Sequence, residues 1–183
     1  MSNFGTFSDN PICEWLVDLP GEDRNMRLTR DFWYVDPDGR KWLAPENSVI
    51  NGASIPRALW SSVGSPYTDD YRRASVVHDI ACDDPTVDRK EADNMFYYAC
   101  LAGGCSYRQS KLLYAGVRIG AWSDSTLNTY ALSKDFLLFR VPQQSSPEEI
   151  FLQIKFQEIG SEILKIRDDA SITELDEIID KHL

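Results

Sequence analysis

Apolar and polar residues follow two different periodicities along the chain. The pattern that is typical of β-strands comes first. A β-rich run from Leu28 to Val35 meets the turn Asp36-Pro37-Asp38-Gly39 and then a second short run, Lys41 to Ala44. This pattern predicts a β-hairpin. Ser48 to Ile50 offers a third strand that leads into the Asn51-Gly52 turn. Prolines and glycines interrupt the first ~25 residues, so no regular secondary structure is predicted there.

The middle of the chain has helical periodicity, because its apolar residues recur every three or four positions. Pro56 suits the first position of a helix that should run to about Val63. Asp88 with Glu91 predicts a capping box for a later helix. Four helices are expected, and they cover about 56–63, 68–82, 88–102 and 106–122.

The C-terminal part differs in composition. Residues 144–183 hold ten acidic and four basic residues. Ser146-Pro147-Glu148-Glu149 has a serine cap, a proline at the first position and acids in the first turn, so it predicts a helix start. Ser171 to Glu174 predicts a second, shorter helix. Residues 123–143 are expected to be irregular except for a strand-like run at Phe136 to Val141.

Together these elements predict an α+β fold in which a small antiparallel sheet packs on a bundle of three to four helices. Residues 1–143 are expected to form this domain, and residues 144–183 an acidic helical extension. The extension is the candidate surface for contact with another protein, or for self-association into a homo-oligomer.

Charge and composition exclude several functions. The net charge of −10 argues against general binding of nucleic acid or anionic membranes. A local basic patch around Arg72, Arg73, Arg89 and Lys90 stays open as an alternative. The sequence contains no run of eighteen apolar residues, and its start lacks the features of a secretion signal. A cytoplasmic protein without a membrane span is therefore expected.

Four cysteines occur without CxxC spacing, which makes a zinc site built on cysteine alone improbable. Cys82 and Cys100 each fall near the end of an apolar helical pattern. Free thiols in a reducing compartment are the main expectation, and a disulfide between Cys82 and Cys100 is the alternative.

The candidate chemistry lies at His78, the only histidine apart from the penultimate His182. On a helix, Asp79 is turned about 100° from His78, whereas Cys82 shares its face. A carboxylate from the next helix should therefore hold the imidazole, and Asp93 lies on the face that points that way. Two interpretations stay open: a buried structural pair, or a dyad in which Asp93 fixes the tautomer and His78 activates a water.

Asp79 invites a second interpretation, as a ligand of a divalent cation such as calcium. The oxygens of the Asn51-Gly52 turn would complete that site, because hard cations favour carboxylates and carbonyls. Ser54 could act as a nucleophile with His78 and Asp93, but it is more simply the N-cap of the helix near Pro56. Tyr71, Arg89 and Tyr97 are the other residues expected to line the site.

These motifs closely resemble a phage and bacterial family called domain of unknown function 1353. The resemblance spans about residues 30–122 and rests on Gly52, Ala53, Ser54, Ile55, Pro56, Trp60, Gly64, Pro66, His78, Asp79, Arg89, Ala92, Asp93 and Phe96. It implies a phage or prophage product. Two departures matter: Asn51 stands where the family pattern has an aspartate, and Cys82 where an aromatic residue is common.

A weaker resemblance concerns mechanism. Secreted phospholipases of the A2 class combine a glycine-rich cation loop, a helical His-Asp pair and an aspartate on an antiparallel helix. His78, Asp79 and Asp93 look like those three positions. The resemblances imply a phage-encoded hydrolase of an ester or amide bond, with lipid or peptidoglycan as the substrate class. The alternative is a non-enzymatic phage protein that binds a host or virion partner.

Overall fold

A computed structural model describes residues 4–17, 25–65, 67–126 and 146–183. The fold is α+β, as predicted. Its strands are β1 (Thr6–Phe7), β2 (Cys13–Trp15), β3 (Met26–Leu28), β4 (Phe32–Val35), β5 (Lys41–Ala44) and β6 (Val49–Ile50). Its helices are α1 (Trp60–Val63), α2 (Arg72–Asp83), α3 (Arg89–Gly103), α4 (Tyr107–Thr126), α5 (Pro147–Ile163) and α6 (Ile172–His182).

The strands form two small antiparallel sheets rather than one. The predicted hairpin is present as β4 and β5, with Phe32 opposite Ala44 and Val35 opposite Lys41, and β1 pairs with its outer edge. The second sheet has the order β2-β3-β6. The prediction of one continuous strand from Leu28 to Val35 is wrong, because the chain changes sheets between β3 and β4. Strands β1 and β2 also occupy the N-terminal region that was expected to be irregular.

The four central helices are present within a few residues of their predicted bounds. Short 3₁₀ segments, Arg57–Leu59 and Asp69–Tyr71, precede α1 and α2. The Asp88 carboxylate caps α3 by accepting from the backbone N–H groups of Lys90 and Glu91. Helix α4 continues to Thr126, which is beyond its predicted end at Trp122. Gly104, in the left-handed conformation with a φ of 112°, ends α3.

Helix α2 lies at the centre of the domain. It packs against α3 on one side and against β4, β5 and β6 on the other, and α3 in turn packs on α4. Seven of its twelve residues are buried, including two ionisable side chains, His78 and Asp79. Buried ionisable groups need partners that compensate for their lost hydration. His78 and Asp79 are therefore the candidate functional residues of α2.

The two C-terminal helices cover α4. Both begin with the predicted serine capping boxes, at Ser146 and Ser171. Ile159 and Ile163 of α5 are fully buried in the same apolar core as α4, and α5 also contacts the segment at residues 57–59. The domain boundary predicted at 143/144 and the strand-like run at Phe136 to Val141 lie outside the described residues.

Two further expectations concern the whole chain. All four cysteines are free thiols, so the alternative of a Cys82–Cys100 disulfide is wrong. Within the described ranges, no helix is both long enough and apolar enough to cross a membrane.

Candidate active site

The antiparallel pair α2 and α3 brings together the two side chains on which the sequence hypothesis depends. His78 Nε2 lies 2.8 Å from the Oδ1 oxygen of Asp93. Neither residue is exposed to solvent. The short loop between the helices places the end of α2 beside the start of α3, which is why residues fifteen apart can meet. The predicted contact is therefore present.

A third reactive side chain, Cys82, belongs to the same cluster. Its Sγ lies 3.5 Å from His78 Nε2 and 3.7 Å from Nδ1. One ligand atom each of His78, Cys82 and Asp93 lie within 4.8 Å of one another. Cys82 is partly exposed, whereas the other two are buried. The cluster thus has one side that approaches solvent, and that side is the thiol.

The electrostatics of the cluster favour positive charge at the imidazole. Burial disfavours the imidazolium, but the Cys82 sulfur and the Asp93 carboxylate outweigh burial and raise the pKa of His78 to about 9. Arg89 Nε lies 3.4 Å from Asp93 Oδ1 and adds a second cation. Asp93 Oδ2 and Arg89 Nη2 are both buried without a hydrogen-bond partner among the described residues. The carboxylate is therefore only half satisfied.

The aromatic neighbour of the imidazole is Phe96 rather than Tyr97. The Phe96 ring centroid lies 4.7 Å from that of His78. Tyr97 packs on Tyr98 and Tyr114, towards α4. Its predicted place in the site lining is therefore not observed, and the reason is that Tyr97 lies on the face of α3 that points away from α2.

Tyr71 is also outside the cluster. It is fully buried at the start of α2, seven residues before His78, and its hydroxyl donates to the Ser65 carbonyl and contacts Thr68 Oγ1 at 2.8 Å. The Tyr71 hydroxyl thus anchors the loop that precedes α2. Its prediction as a site-lining residue is not supported by this placement.

Asp79 holds the Asn51-Gly52 turn by hydrogen bonds. Its Oδ2 accepts from the backbone N–H of Asn51 at 2.6 Å and from that of Gly52 at 3.1 Å. Burial raises the pKa of Asp79 to about 6, against the effect of these two bonds. The turn meets the carboxylate with donors, whereas a cation site needs acceptors. The structure therefore provides no support for the predicted cation site at Asp79, Asn51 and Gly52.

Ser54 has a backbone role that the sequence did not indicate. The residue at the N-cap of the 3₁₀ segment is Pro56, and that segment has no side-chain cap, so the N-cap prediction for Ser54 is wrong. The Ser54 carbonyl lies against Gly120 of α4, where a Cβ would come within 2.2 Å of it. The close approach of α4 to this turn requires a glycine at position 120.

A cleft of about 460 Å³ lies beside Asp93, whereas neither His78 nor Cys82 lines it. It opens where α3, α4 and α6 meet, and it has the size of a small-molecule site. Its lining includes Arg89, Asp93, Arg118, Trp122, Asp180 and Leu183. Arg89 is thus confirmed beside Asp93, and two of its neighbours come from parts of the chain that the sequence had not connected to the site.

Cys82 is the one functional side chain that the sequence hypothesis left out of the site. The helical spacing already placed it on the face of His78, and its polar, nucleophilic sulfur replaces an aromatic residue of the family pattern. Three groups that can transfer protons or bind a metal converge in this cluster. The arrangement suits either a carboxylate-held imidazole or a three-ligand metal site.

Comparison with known proteins identifies the family but gives no activity. The uncharacterised protein y4iH of Sinorhizobium fredii is 42% identical over 102 residues, which are 56% of this chain and 43% of that protein. The uncharacterised protein y4jT of the same organism is 35% identical over 115 residues, 62% of this chain and 33% of that protein. The chain thus spans less than half the length of these relatives.

No solved structure matches the chain. Residues 26–117, half of the sequence, match the family described as "Protein of unknown function (DUF1353)", and they include all of α2 and α3 with the His78, Cys82 and Asp93 cluster. The chain therefore belongs to the DUF1353 family.

Proposed function

We propose that the protein is a hydrolase that cleaves an ester or amide bond by activating a water molecule at the His78–Asp93 pair. One observation carries the proposal: a fully buried imidazole is held at 2.8 Å by a fully buried carboxylate. A carboxylate in this position orients the ring for proton transfer. Because Cys82 and Asp93 raise the pKa of His78 to about 9, only the neutral fraction of the imidazole can take a proton from water, and hydrolysis is expected to increase as the pH rises towards 9.

The surroundings of the pair support a catalytic role over a purely structural one. A structural carboxylate is normally satisfied on both oxygens, because each unsatisfied buried group costs about 1–3 kcal/mol. Asp93 leaves Oδ2 without a partner and lines a cleft that a small substrate could enter. Arg89, at the same cleft, offers a cation for an anionic group of that substrate.

Cell-envelope lipids and peptidoglycan are the proposed substrate class, and a phage or prophage origin is proposed with it. Both follow from the family resemblance and from the short motif shared with phospholipases of the A2 class. The cleft supports this choice only in that its lining combines the apolar Trp122 and Leu183 with arginines.

The test compares the two histidines of the chain. The full-length protein is assayed with p-nitrophenyl esters of short and long acyl chains and with purified peptidoglycan. His78→Gln is expected to lose roughly 100-fold or more of the activity, which is the usual contribution of a general acid or base. His182→Gln is the matched control and is expected to keep the activity, because His182 pairs with Glu162 of α5 and is not part of the His78–Asp93 cluster. Equal activity of the two variants, at equal thermal stability, would remove His78 from catalysis.

A non-enzymatic partner-binding protein is the second candidate, and a specific observation favours it. Helix α5 exposes three large apolar side chains: Ile150, Phe151 and Ile154 are 47%, 42% and 49% exposed. In this case the His78–Asp93 pair would be structural, and α5 would contact a host or virion protein. Absence of hydrolysis from the wild-type protein, together with loss of partner binding in Phe151→Ser, would favour this candidate.

A further inference from the structure

We infer that His78, Cys82 and Asp93 form a binding site for a zinc ion. The site uses one nitrogen, one sulfur and one oxygen ligand from the facing surfaces of α2 and α3. The inference rests on the proposed function only for the use that is made of the metal, since metal binding itself can be measured without any substrate.

The first argument is that the thiol and the carboxylate meet the imidazole at the same nitrogen. In a nucleophilic triad the two groups lie at opposite nitrogens, so that a proton can pass through the ring. Here the Asp93 oxygen lies at Nε2, and the Cys82 sulfur is closer to Nε2, at 3.5 Å, than to Nδ1, at 3.7 Å. The sulfur is thus almost equally close to both nitrogens and does not occupy the opposite nitrogen as a triad requires, while the sulfur, one ring nitrogen and one carboxylate oxygen lie within 4.8 Å of one another, as a shared metal ion would need.

The second argument is the match of distances. Zinc bonds of about 2.3 Å to sulfur and about 2.0–2.2 Å to nitrogen and oxygen place tetrahedral ligand atoms about 3.3–3.7 Å apart. The sulfur-to-nitrogen distance of 3.5 Å already fits. The nitrogen-to-oxygen distance of 2.8 Å would need to open by about half an ångström. The sulfur and the carboxylate oxygen, which lie within 4.8 Å of each other, would need to approach by up to about an ångström, and rotations of the Cys82 and Asp93 side chains can supply both changes.

The third argument is the backbone that carries the ligands. His78 and Cys82 are four residues apart on α2, and this spacing puts two ligands on one helix face, as in other helical zinc motifs. Asp93 comes from the facing helix, which Asp88 caps. All three ligands thus stand on regular helices that pack against each other, so little conformational entropy is lost when a metal binds.

The fourth argument is the unsatisfied charge of the cluster. Asp93 Oδ2 is buried without a partner, and a metal ion would supply one. A dication bound by one thiolate and one carboxylate has no net charge, which suits a buried site. A metal ion that contacts both carboxylate oxygens would satisfy Oδ2, and Arg89, 3.4 Å from Oδ1, can orient the carboxylate, because ligating carboxylates are themselves hydrogen-bonded.

The donor set selects the metal. Thiolate and imidazole favour zinc over calcium or magnesium, which bind oxygen donors. Three protein ligands leave a fourth position open, as in catalytic zinc sites, and such a metal lowers the pKa of a bound water to about 7. With zinc in place, His78 serves as a ligand, and the activation of water that the proposed function requires comes from the metal.

The experiment measures metal binding by the full chain. The purified protein is stripped with a chelator, loaded with Zn²⁺ and analysed for zinc content after gel filtration, and it is separately titrated with Co²⁺ to detect the thiolate-to-cobalt charge-transfer band. We expect one metal per wild-type chain and the charge-transfer band. Cys82→Ser should abolish the band and weaken zinc binding by more than the roughly 10- to 100-fold that follows loss of a supporting residue.

Cys13→Ser is the matched control, because Cys13 is also a partly exposed free thiol but lies on β2, away from the cluster. It should bind zinc as the wild type does. Wild-type protein that binds no more zinc than Cys82→Ser, or equal loss in both variants, would overturn the inference. Circular dichroism of each stripped protein shows that it is folded.

Different results would overturn the proposed function and the proposed zinc site. Hydrolysis that depends on His78 but survives chelation, with no zinc bound, would retain the proposed function and overturn the zinc site. One bound zinc per chain with no hydrolysis of any probe would retain the zinc site and overturn the proposed function.

Discussion

Two of the buried aspartates, Asp176 on α6 and Asp93 on α3, differ in how fully their carboxylate oxygens are paired. Asp176 of α6 is 8% exposed and has a partner on each oxygen: the Tyr114 hydroxyl donates to Oδ1 at 2.6 Å, and Lys90 Nζ lies 2.9 Å from Oδ2. Asp93 of α3 is completely buried, and it shares one oxygen between His78 and Arg89 while the other has no partner.

The difference separates a carboxylate that stabilises the fold from one that is available for chemistry. Asp176 joins α6 to α3 and α4, and its hydrogen-bonding capacity is used within the protein. Asp93 keeps an unsatisfied oxygen in a place where an unpaired polar group is costly. Sites that retain such a cost are more often functional than structural, so the comparison predicts opposite consequences for equivalent substitutions.

The largest expected effect is on activity. Asp93→Asn should reduce hydrolysis by roughly 100-fold or more, because the amide no longer stabilises the imidazolium that forms when His78 takes a proton from water. Asp176→Asn, the matched change at a buried aspartate outside the cluster, should leave hydrolysis close to the wild-type rate. The measurement is kcat/KM with a p-nitrophenyl ester, at a temperature where circular dichroism shows both variants to be folded. Similar rates for both variants would show that Asp93 contributes no more to hydrolysis than Asp176 does.

A second prediction tests whether the two halves are one cooperative unit. Ile159 is fully buried on α5, so Ile159→Ala should lower the free energy of unfolding by about 2–5 kcal/mol. Trp122 packs on Phe151 of α5, whereas the other four tryptophans, at positions 15, 33, 42 and 60, precede α4. In a Trp122→Phe background, the fluorescence therefore reports on the part of the chain before the C-terminal helices. A fluorescence-detected urea midpoint that falls in this variant shows that the C-terminal helices stabilise the rest.

The control is Ile154→Ala on the same helix, where the side chain is 49% exposed and the change should be within about 0.5 kcal/mol. If Ile159→Ala shifts the helical signal in circular dichroism but not the fluorescence midpoint, residues 144–183 are the independent extension that their composition predicts.

The sequence predicts local features well and long-range ones poorly. Capping boxes at Ser146 and Ser171 and the β4–β5 hairpin depend on residues close in the chain, and all are present. The pairing of β3 with β2 and β6 depends on contacts that no local pattern encodes. For the same reason, a run of strand-forming residues from Leu28 to Val35 gave no sign that it divides between two sheets.

The candidate site shows the same limit. The helical period placed His78 and Cys82 on one face, and the capping of α3 fixed the phase that turns Asp93 towards α2. The partners of Asp79 could not be read in the same way. Its neighbours, Asn51 and Gly52, could offer either carbonyl oxygens or N–H groups, and only the backbone orientation of the turn decides in favour of the donors.

A third prediction concerns the satisfied aspartate. The Tyr114 hydroxyl lies between Asp176 and Asn94, at 2.6 and 2.8 Å. Tyr114→Phe should lower the free energy of unfolding by about 1–3 kcal/mol, because it leaves the buried Asp176 Oδ1 without the hydroxyl donor. Tyr97→Phe is the control, since its ring packs on Tyr114 but its hydroxyl makes no hydrogen bond to the described residues. Equal costs in the two variants would indicate that lost packing, rather than the bond, is responsible.

The smallest effect is expected at Asp180, one turn beyond Asp176. Its carboxylate lies 2.9 Å from Arg118 Nη2 and 3.6 Å from Lys90 Nζ, but its side chain is 51% exposed. Exposed ion pairs contribute about 1 kcal/mol or less, and salt weakens them because the screening length falls from about 10 Å at 0.1 M to about 3 Å at 1 M. Asp180→Asn should therefore cost at most about 1 kcal/mol in urea unfolding at low salt and nothing measurable at 1 M sodium chloride. The cost of Tyr114→Phe should persist at both salt concentrations, since water and salt do not reach that bond. If the loss of unfolding free energy in Asp180→Asn is also independent of salt, the ion pairs of Asp176 and Asp180 are equally shielded from solvent. Only Asp93 would then differ from the other aspartates.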